Sequence, residues 1–237
     1  FIARTDGSVQ LRGAGDDVTI ATEGGRLILR GSEVTANTII LDTSQINGPG
    51  GLIRLVAEEE DVRVGDLISS GTEGGDIIVQ AETAITTGII DSSGSVGDGG
   101  NVTLDPSGNV RVDYINAQGG PRGRGGTVDI TAGRFFRARE TFVDQNGIVA
   151  SISTAGGEGG GDITIRHGGN GNVNFDVGDG ETNGTEGAIT SGDNTIDPVQ
   201  SFRESYILGN ISILTNAPPL PDDDVQPLPQ EVVIDLE

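Results

Sequence analysis

Histidine occurs once in this chain, as His167 in Arg166-His167-Gly168-Gly169, and cysteine does not occur at all. A two-histidine metal site and a thiolate nucleophile are excluded on those grounds. Any catalysis would fall to the carboxylates, 36 of them against 14 basic residues. Calcium is the metal that such a composition brings to mind, and Gly156-Gly157-Glu158-Gly159-Gly160-Gly161-Asp162 is its best candidate segment. A calcium roll, however, is built on tandem nine-residue repeats, and no such tandem is present here. Asn101-Val102-Thr103, Asn183-Gly184-Thr185 and Asn210-Ile211-Ser212 fit the glycosylation sequon, a match expected by coincidence where Asn and Thr are frequent.

A pair of acids on one face of a parallel β-helix is how polysaccharide-cleaving β-helices work. The chain has no Asn-Thr-Asp, Gly-His-Gly or Arg-Ile-Lys to accompany its acids, and Asp16-Asp17 stands outside any such context. No catalytic, cofactor or metal residue is therefore assigned. The expectation is a protein that is not an enzyme, with a polysaccharide-acting enzyme as the least favoured alternative.

The net charge of −22 argues against nucleic acid and against an anionic membrane surface. No lysine is present, so every basic residue is arginine. An acid excess of this size keeps a surface-displayed protein dispersed, and cation binding is its other use. No apolar run approaches the length of a membrane span, so membrane insertion is not expected. The chain begins at Phe1 and contains no Met, which reads as a processed piece whose secretion signal lies elsewhere.

Forty glycines and eight aromatic residues in 237 point to thin strands rather than packed helices. Six segments begin with Gly-Gly and continue with alternating aliphatics. They start at Gly24, Gly50, Gly74, Gly99, Gly125 and Gly160, in steps of 26, 24, 25, 26 and 35. The second and fourth residues after each pair are aliphatic throughout and form two columns, one from Leu27 to Ile163 and the other from Leu29 to Ile165. A period of two puts both columns on one strand face.

Further short strands follow in each repeat, as in Asp61-Val62-Arg63-Val64 and Asn109-Val110-Arg111-Val112, and the repeat ends near an Ile followed by small polar residues. The sequence thus predicts an all-β fold, a right-handed parallel β-helix with coils of about 25 residues stacked about 4.8 Å apart. Glycine at the corners is expected to serve sharp bends, often at positive φ. One such coil cannot offset its own ordering entropy, so several must stack.

Three features lie outside the regular repeat. Residues 131–149 are read as an insertion that breaks the register, with Phe135, Phe136, Arg137 and Arg139 as a candidate ligand patch. Residues 1–216 form the solenoid domain, closed by Tyr206-Ile207-Leu208 and Ile211-Ser212-Ile213-Leu214. Residues 217–237 form a Pro- and Asp-rich extended arm that ends in a strand over Glu231–Leu236. An uncapped first strand is an open edge. Val232, Val233, Ile234 and Leu236 are candidate assembly residues that would add to a neighbouring copy.

The repeats resemble those of filamentous haemagglutinin-type exoproteins of two-partner secretion, and in particular the Gly-rich repeats of large cyanobacterial haemagglutinin-like proteins. The residues that carry the likeness are Gly99-Gly100-Asn101-Val102-Thr103-Leu104, Gly160-Gly161-Asp162-Ile163-Thr164-Ile165, Ile90-Asp91-Ser92-Ser93-Gly94 and Ile152-Ser153-Thr154-Ala155-Gly156-Gly157. The likeness covers roughly residues 7 to 192. It implies a secreted β-helix displayed on the surface of a Gram-negative-type bacterium as an adhesin or structural coat. The chain departs from the family in lacking its amino-terminal secretion domain and in ending with a Pro-rich arm and strand.

The expected function is a secreted or cell-surface structural or adhesive solenoid that assembles head to tail into an extracellular filament, its main partner being copies of itself. The alternative is an adhesin module that binds a cell-surface glycan or receptor through the insertion.

Overall fold

A computed structural model describes residues 1–13, 18–169 and 172–215, together with the backbone of the strand Val232–Leu236. The described residues contain no helix. Their strands stack, predominantly in parallel, into three sheets, an arrangement consistent with a β-helix or solenoid. The chain visits the sheets in rotation. The strands Leu27–Gly31, Val34–Ala36 and Ile40–Asp42 each lie in a different sheet, and the next three strands, Ile53–Ala57, Val62–Val64 and Leu67–Ile68, pair with them in parallel.

The Gly-Gly segments supply the first sheet. Leu27 pairs with Ile53, Ile53 with Ile77, Ile77 with Val102, Val102 with Val128, Val128 with Ile163 and Ile163 with Ile211. Every member of that column is fully buried, as is the parallel column through Leu29, Leu55, Val79, Leu104, Ile130, Ile165 and Ile213. Like side chains therefore sit over one another along the tube, and water is excluded from the whole length of the column. The residue that ends each of these strands points inward too but is small: Gly31, Ala57, Ala81, Pro106 and Ala132. At the next level that place is taken by His167.

The glycine pairs are needed for a different reason from the one expected. Of their members only Gly24 has a positive φ, +80°. From Gly50 on, the first glycine of each pair is kept bare by a carbonyl of the level above, as Gly50 by Ser69 and Gly74 by Ser92, and the second by the level beneath. A Cβ on Gly51 would lie 1.8 Å from the carbonyl oxygen of Gly25, one on Gly75 2.0 Å from that of Gly51, and one on Gly100 2.1 Å from that of Gly75. Close approach of stacked backbones, rather than the shape of the bend, demands glycine here.

Each of these turns is closed by a repeated bond that the small polar residues explain. The amides of Gly51, Gly75, Gly100, Gly126 and Gly161 donate to the carbonyls of Thr43, Ser69, Ser92, Ala117 and Thr154. In three cases the hydroxyl answers: Thr43 Oγ1 donates to Gly51 O at 3.1 Å, Ser92 Oγ to Gly100 O at 3.0 Å and Thr154 Oγ1 to Gly161 O at 2.9 Å. Two bonds thus clamp the end of one level to the start of the next, and Ala117 is the place where the hydroxyl is missing.

The insertion is shorter than the sequence pattern indicated. Phe136–Ala138 is a regular member of the second sheet, pairing in register with Val110–Val112. The extra residues are those that follow, folded as an antiparallel hairpin in which Phe142–Val143 pairs with the start of Val149–Ser153. A second irregularity lies one level on. Gly184–Thr185 takes the slot beside Phe136–Ala138, and Phe175–Val177 is displaced one level outward.

Candidate functional site

The two ends of the stack differ. At the carboxyl-terminal end each sheet stops in an antiparallel strand: Tyr206–Leu208 on Ile211–Thr215, Gln200–Phe202 on Phe175–Val177, and Thr195–Ile196 on Ala188–Thr190. Reversal of direction ends the parallel register of all three sheets together. At the amino-terminal end the outermost strands keep the direction of the stack. Ile2–Arg4 and Thr19–Ala21 are terminal members of the first and third sheets. The side chain of Ile2 is 60 % exposed.

The second sheet is different at that end. Val9–Gly13 is flanked on its outer side by Val232–Leu236, in parallel and in register, with Val9 opposite Val232, Gln10 opposite Val233, Leu11 opposite Ile234, Arg12 opposite Asp235 and Gly13 opposite Leu236. The four assembly candidates Val232, Val233, Ile234 and Leu236 all lie in this strand. Val9–Gly13 alternates buried and outward residues, with Val9 and Leu11 in the core. It presents a continuous row of edge amides and carbonyls, the template that strand addition requires. The sequence pointed to this strand as one that would add to a neighbouring copy; here it pairs within its own chain, on Val9–Gly13, whose place at a sheet edge a one-dimensional pattern does not show.

The candidate ligand residues do not form one patch. Phe136 is fully buried, its ring parallel to that of Phe175 with centroids 6.4 Å apart. It is core and meets no ligand. Phe135 is half-exposed, and the guanidinium of Arg137 lies 5.9 Å from its ring centre. Arg137 Nε donates to the carbonyl of Thr182 at 2.8 Å, and Arg139 Nη2 to Glu181 Oε1 at 2.7 Å. Both arginines are engaged with the loop of the following level. The hairpin offers instead Val143 and Val149, directly opposed across its two strands and both exposed. Its base is set by Phe142 against Tyr114, ring centres 4.7 Å apart. Buried Asp144 holds its turn, accepting from the amides of Asn146 and Ile148 at 2.8 Å each.

The glycine-rich segment considered for calcium has its carbonyls occupied. Arg124 donates to the oxygens of Glu158 and Gly160 at 3.2 and 3.3 Å. Among the described residues no group of three or more His, Asp or Glu side chains is placed to hold a metal ion.

An acidic corner is nevertheless present where the second sheet turns into the third. Burial raises the carboxyl pKa of Asp113 above its ordinary value, and the charges of Glu140 and Asp66 raise it further, against the opposing pull of Arg111 and Arg139. Burial also raises the neighbouring Tyr114, helped by Asp91 and Asp66. Asp66 has a structural use, since its Oδ1 accepts the amide of Ile89 one level on at 2.9 Å. Two cavities are described. One of about 360 Å³ adjoins Gln10, Arg12, Thr35 and Asn37 beside the acceptor edge, and one of about 320 Å³ adjoins Ser44, Ser70 and Ser93.

His167 is fully buried. Its Nδ1 accepts the amide of Gly169 at 3.3 Å and faces Asn183 Nδ2 at 3.1 Å. A backbone amide can only donate, so Nδ1 is the unprotonated nitrogen and the ring is neutral. Burial lowers its pKa to about 4. Its Nε2 is buried without a hydrogen-bond partner, and the ring packs against that of Phe175.

No family model, no curated protein and no solved structure matches this chain.

Proposed function

We propose that the chain is a secreted or cell-surface structural β-solenoid, wound as a right-handed β-helix of about 25 residues per coil and joined head to tail into an extracellular filament. The observation that carries this reading is the strand Val232–Leu236 seated in register on Val9–Gly13. Within one chain this pairing joins the carboxyl-terminal strand to the amino-terminal end of the stack; made between copies, the same pairing would be heterologous, of the kind that builds open chains. Right-handedness follows from the general rule for parallel strands connected through a crossover. The likeness of the repeats to haemagglutinin-type exoproteins supports surface display in a Gram-negative-type bacterium. The −22 charge supports a body that stays dispersed except where a specific joint forms.

A polysaccharide-acting enzyme would use the acids around Asp113. The engagement of Asp66 in the turn favours the structural reading. Electron microscopy of the purified full chain, with sedimentation velocity across a concentration series, tests the proposal. Filaments or linear oligomers that grow with concentration are expected. A chain that stays monomeric at millimolar concentration overturns it.

A further inference from the structure

We infer that the joint between copies is made by exchange of the carboxyl-terminal strand: the same pairing with Val9–Gly13 is made within one chain in a closed monomer and between chains in the filament. This rests on the head-to-tail reading above and adds its mechanism.

Three observations converge on it. The first is the pairing itself, which uses backbone groups of both strands over five consecutive residue pairs, Val9–Val232 to Gly13–Leu236. Nothing in those bonds distinguishes a strand of the same chain from that of a neighbour, so the closed and exchanged forms make equal contacts. Their balance is set by concentration and by the linker.

The second is length. Seven strand steps separate Ile2–Arg4 from Ile211–Thr215 in the first sheet, and the carboxyl-terminal strand lies one further step beyond Val9–Gly13. Eight steps at about 4.8 Å come to about 38 Å. Residues 216–231 supply 17 Cα-to-Cα steps, which reach about 56 Å when extended. By contour length alone, residues 216–231 are long enough to span that distance on the same chain, and long enough to reach a neighbour.

The third is the form of the carboxyl-terminal end. Because all three sheets stop there in antiparallel strands, the next copy cannot simply continue the parallel register of the body. Two bodies of charge −22 also repel one another when brought end to end. A strand on a linker avoids both obstacles. It carries a parallel, matched strand to the one edge that accepts it, while the bodies stay apart.

The chain has no cysteine, which makes a direct test possible with full-length protein. Gln10→Cys and Val233→Cys are made as separate single variants and as a double variant, with Arg12→Cys and Asp235→Cys as a second set in case either first position disturbs folding. Oxidation is followed by mass spectrometry of the cross-linked peptides. Mixed single variants are expected to give a dimer joined through positions 10 and 233, its yield rising roughly tenfold from micromolar to millimolar protein. The double variant is expected to give cross-linked monomer when dilute and a ladder of linear oligomers when concentrated.

Cross-linked monomer at every concentration, with no mixed dimer, overturns exchange and leaves an internal clasp. No cross-link at all overturns the pairing. Filaments seen by microscopy without the mixed dimer would leave the proposed function standing and this joint refuted.

Discussion

The side-chain amide of Asn183 sits between two aromatic levels and holds His167 Nδ1 at 3.1 Å, while its Oδ1 accepts the amide of Phe136 at 3.2 Å. It also donates to the carbonyl of Asn174 at 3.0 Å. Asn183 therefore satisfies its own buried amide while fixing the histidine as a neutral acceptor. A histidine at the place where lower levels carry Gly31, Ala57 and Ala132 fills space beside Phe175, their ring centres 5.2 Å apart.

That placement makes stability depend on pH. His167 has a folded pKa of about 4 against an ordinary 6.5. Above pH 6.5 both states are neutral and the group contributes no pH dependence. As pH falls from 6.5 towards 4 only the unfolded chain takes up the proton, so stability is lost across that window, about 2.5 kcal/mol by pH 4.5. The raised carboxyl pKa values of Asp105 and Asp113 act in the opposite direction, because those groups gain protons more readily when folded. The comparison must therefore be made against His167→Gln. Urea unfolding at pH 7.5 and pH 4.5 is expected to show wild type losing about 2.5 kcal/mol more than the variant. Equal losses would refute the assignment.

The stacked glycines separate steric from conformational demand. Gly100→Ala places a methyl carbon 2.1 Å from the carbonyl of Gly75 and is expected to cost more than about 3 kcal/mol or to prevent folding. Gly147 in the hairpin turn has φ +82° with nothing within 4 Å of a Cβ. Gly147→Ala is expected to cost only about 1 kcal/mol, the conformational penalty alone. Thermal unfolding of the two variants checks the contrast.

How far the sequence could be read follows from which signals repeat. The columns through Leu27 and Leu29 were legible because six copies kept a period of two behind a glycine pair. The hydroxyl clamps were visible as small polar residues, though without their partners. Phe135-Phe136-Arg137 looked like a break because an aromatic stands where the earlier level has Val110. Its strand is regular, and the larger ring is accommodated because Asn183 and the displaced Phe175–Val177 reshape the next level. The antiparallel closing strands Thr195–Ile196 and Gln200–Phe202 are too short to show a period. The acceptor edge was illegible for a different reason, since being at an edge is a property of the assembled sheet and not of the strand.

Phe136 and Phe135 should part company on truncation. Phe136→Ala removes a fully buried ring and is expected to cost about 3–5 kcal/mol. Phe135→Ala, at a half-exposed place, is expected to cost less than about 1 kcal/mol. Chemical denaturation decides the matter. A loss at Phe135 as large as that at Phe136 would refute the distinction and place both rings in the packing of the stack.

Ala117 interrupts the series of hydroxyl clamps, although Gly126 still donates its amide to the Ala117 carbonyl at 2.8 Å. Ala117→Ser supplies the missing donor to Gly126 O and is expected to stabilise the chain by about 1 kcal/mol. Ser92→Ala, which leaves Gly100 O with one bond fewer, is expected to cost about 1–2 kcal/mol. Ser92 and Ala117 lie on neighbouring levels, so the departure of the double variant from the sum of the two single changes measures the coupling between the clamps.

The hairpin can be removed without breaking the stack. Deleting residues 141–151 joins Glu140 to Ile152 and leaves Ala138-Arg139-Glu140-Ile152-Ser153, the same spacing as Val112-Asp113-Tyr114-Ile115-Asn116 one level below. Ile115 already pairs with Ile152, and Val112 with Ala138, so the shortened connection has a template on the level beneath it. The losses are specific. Ser151 Oγ no longer accepts the Gly187 amide at 2.8 Å, Asp144 no longer serves Ser153, and Tyr114 loses its contact with Phe142. One amide left without a partner and one aromatic contact together come to about 2–4 kcal/mol. The deletion variant is expected to unfold in one cooperative transition at lower denaturant, with its strand content unchanged by circular dichroism. Collapse of the fold on deletion would mean that the hairpin is structural, and that its exposed pair Val143 and Val149 is incidental to a supporting role.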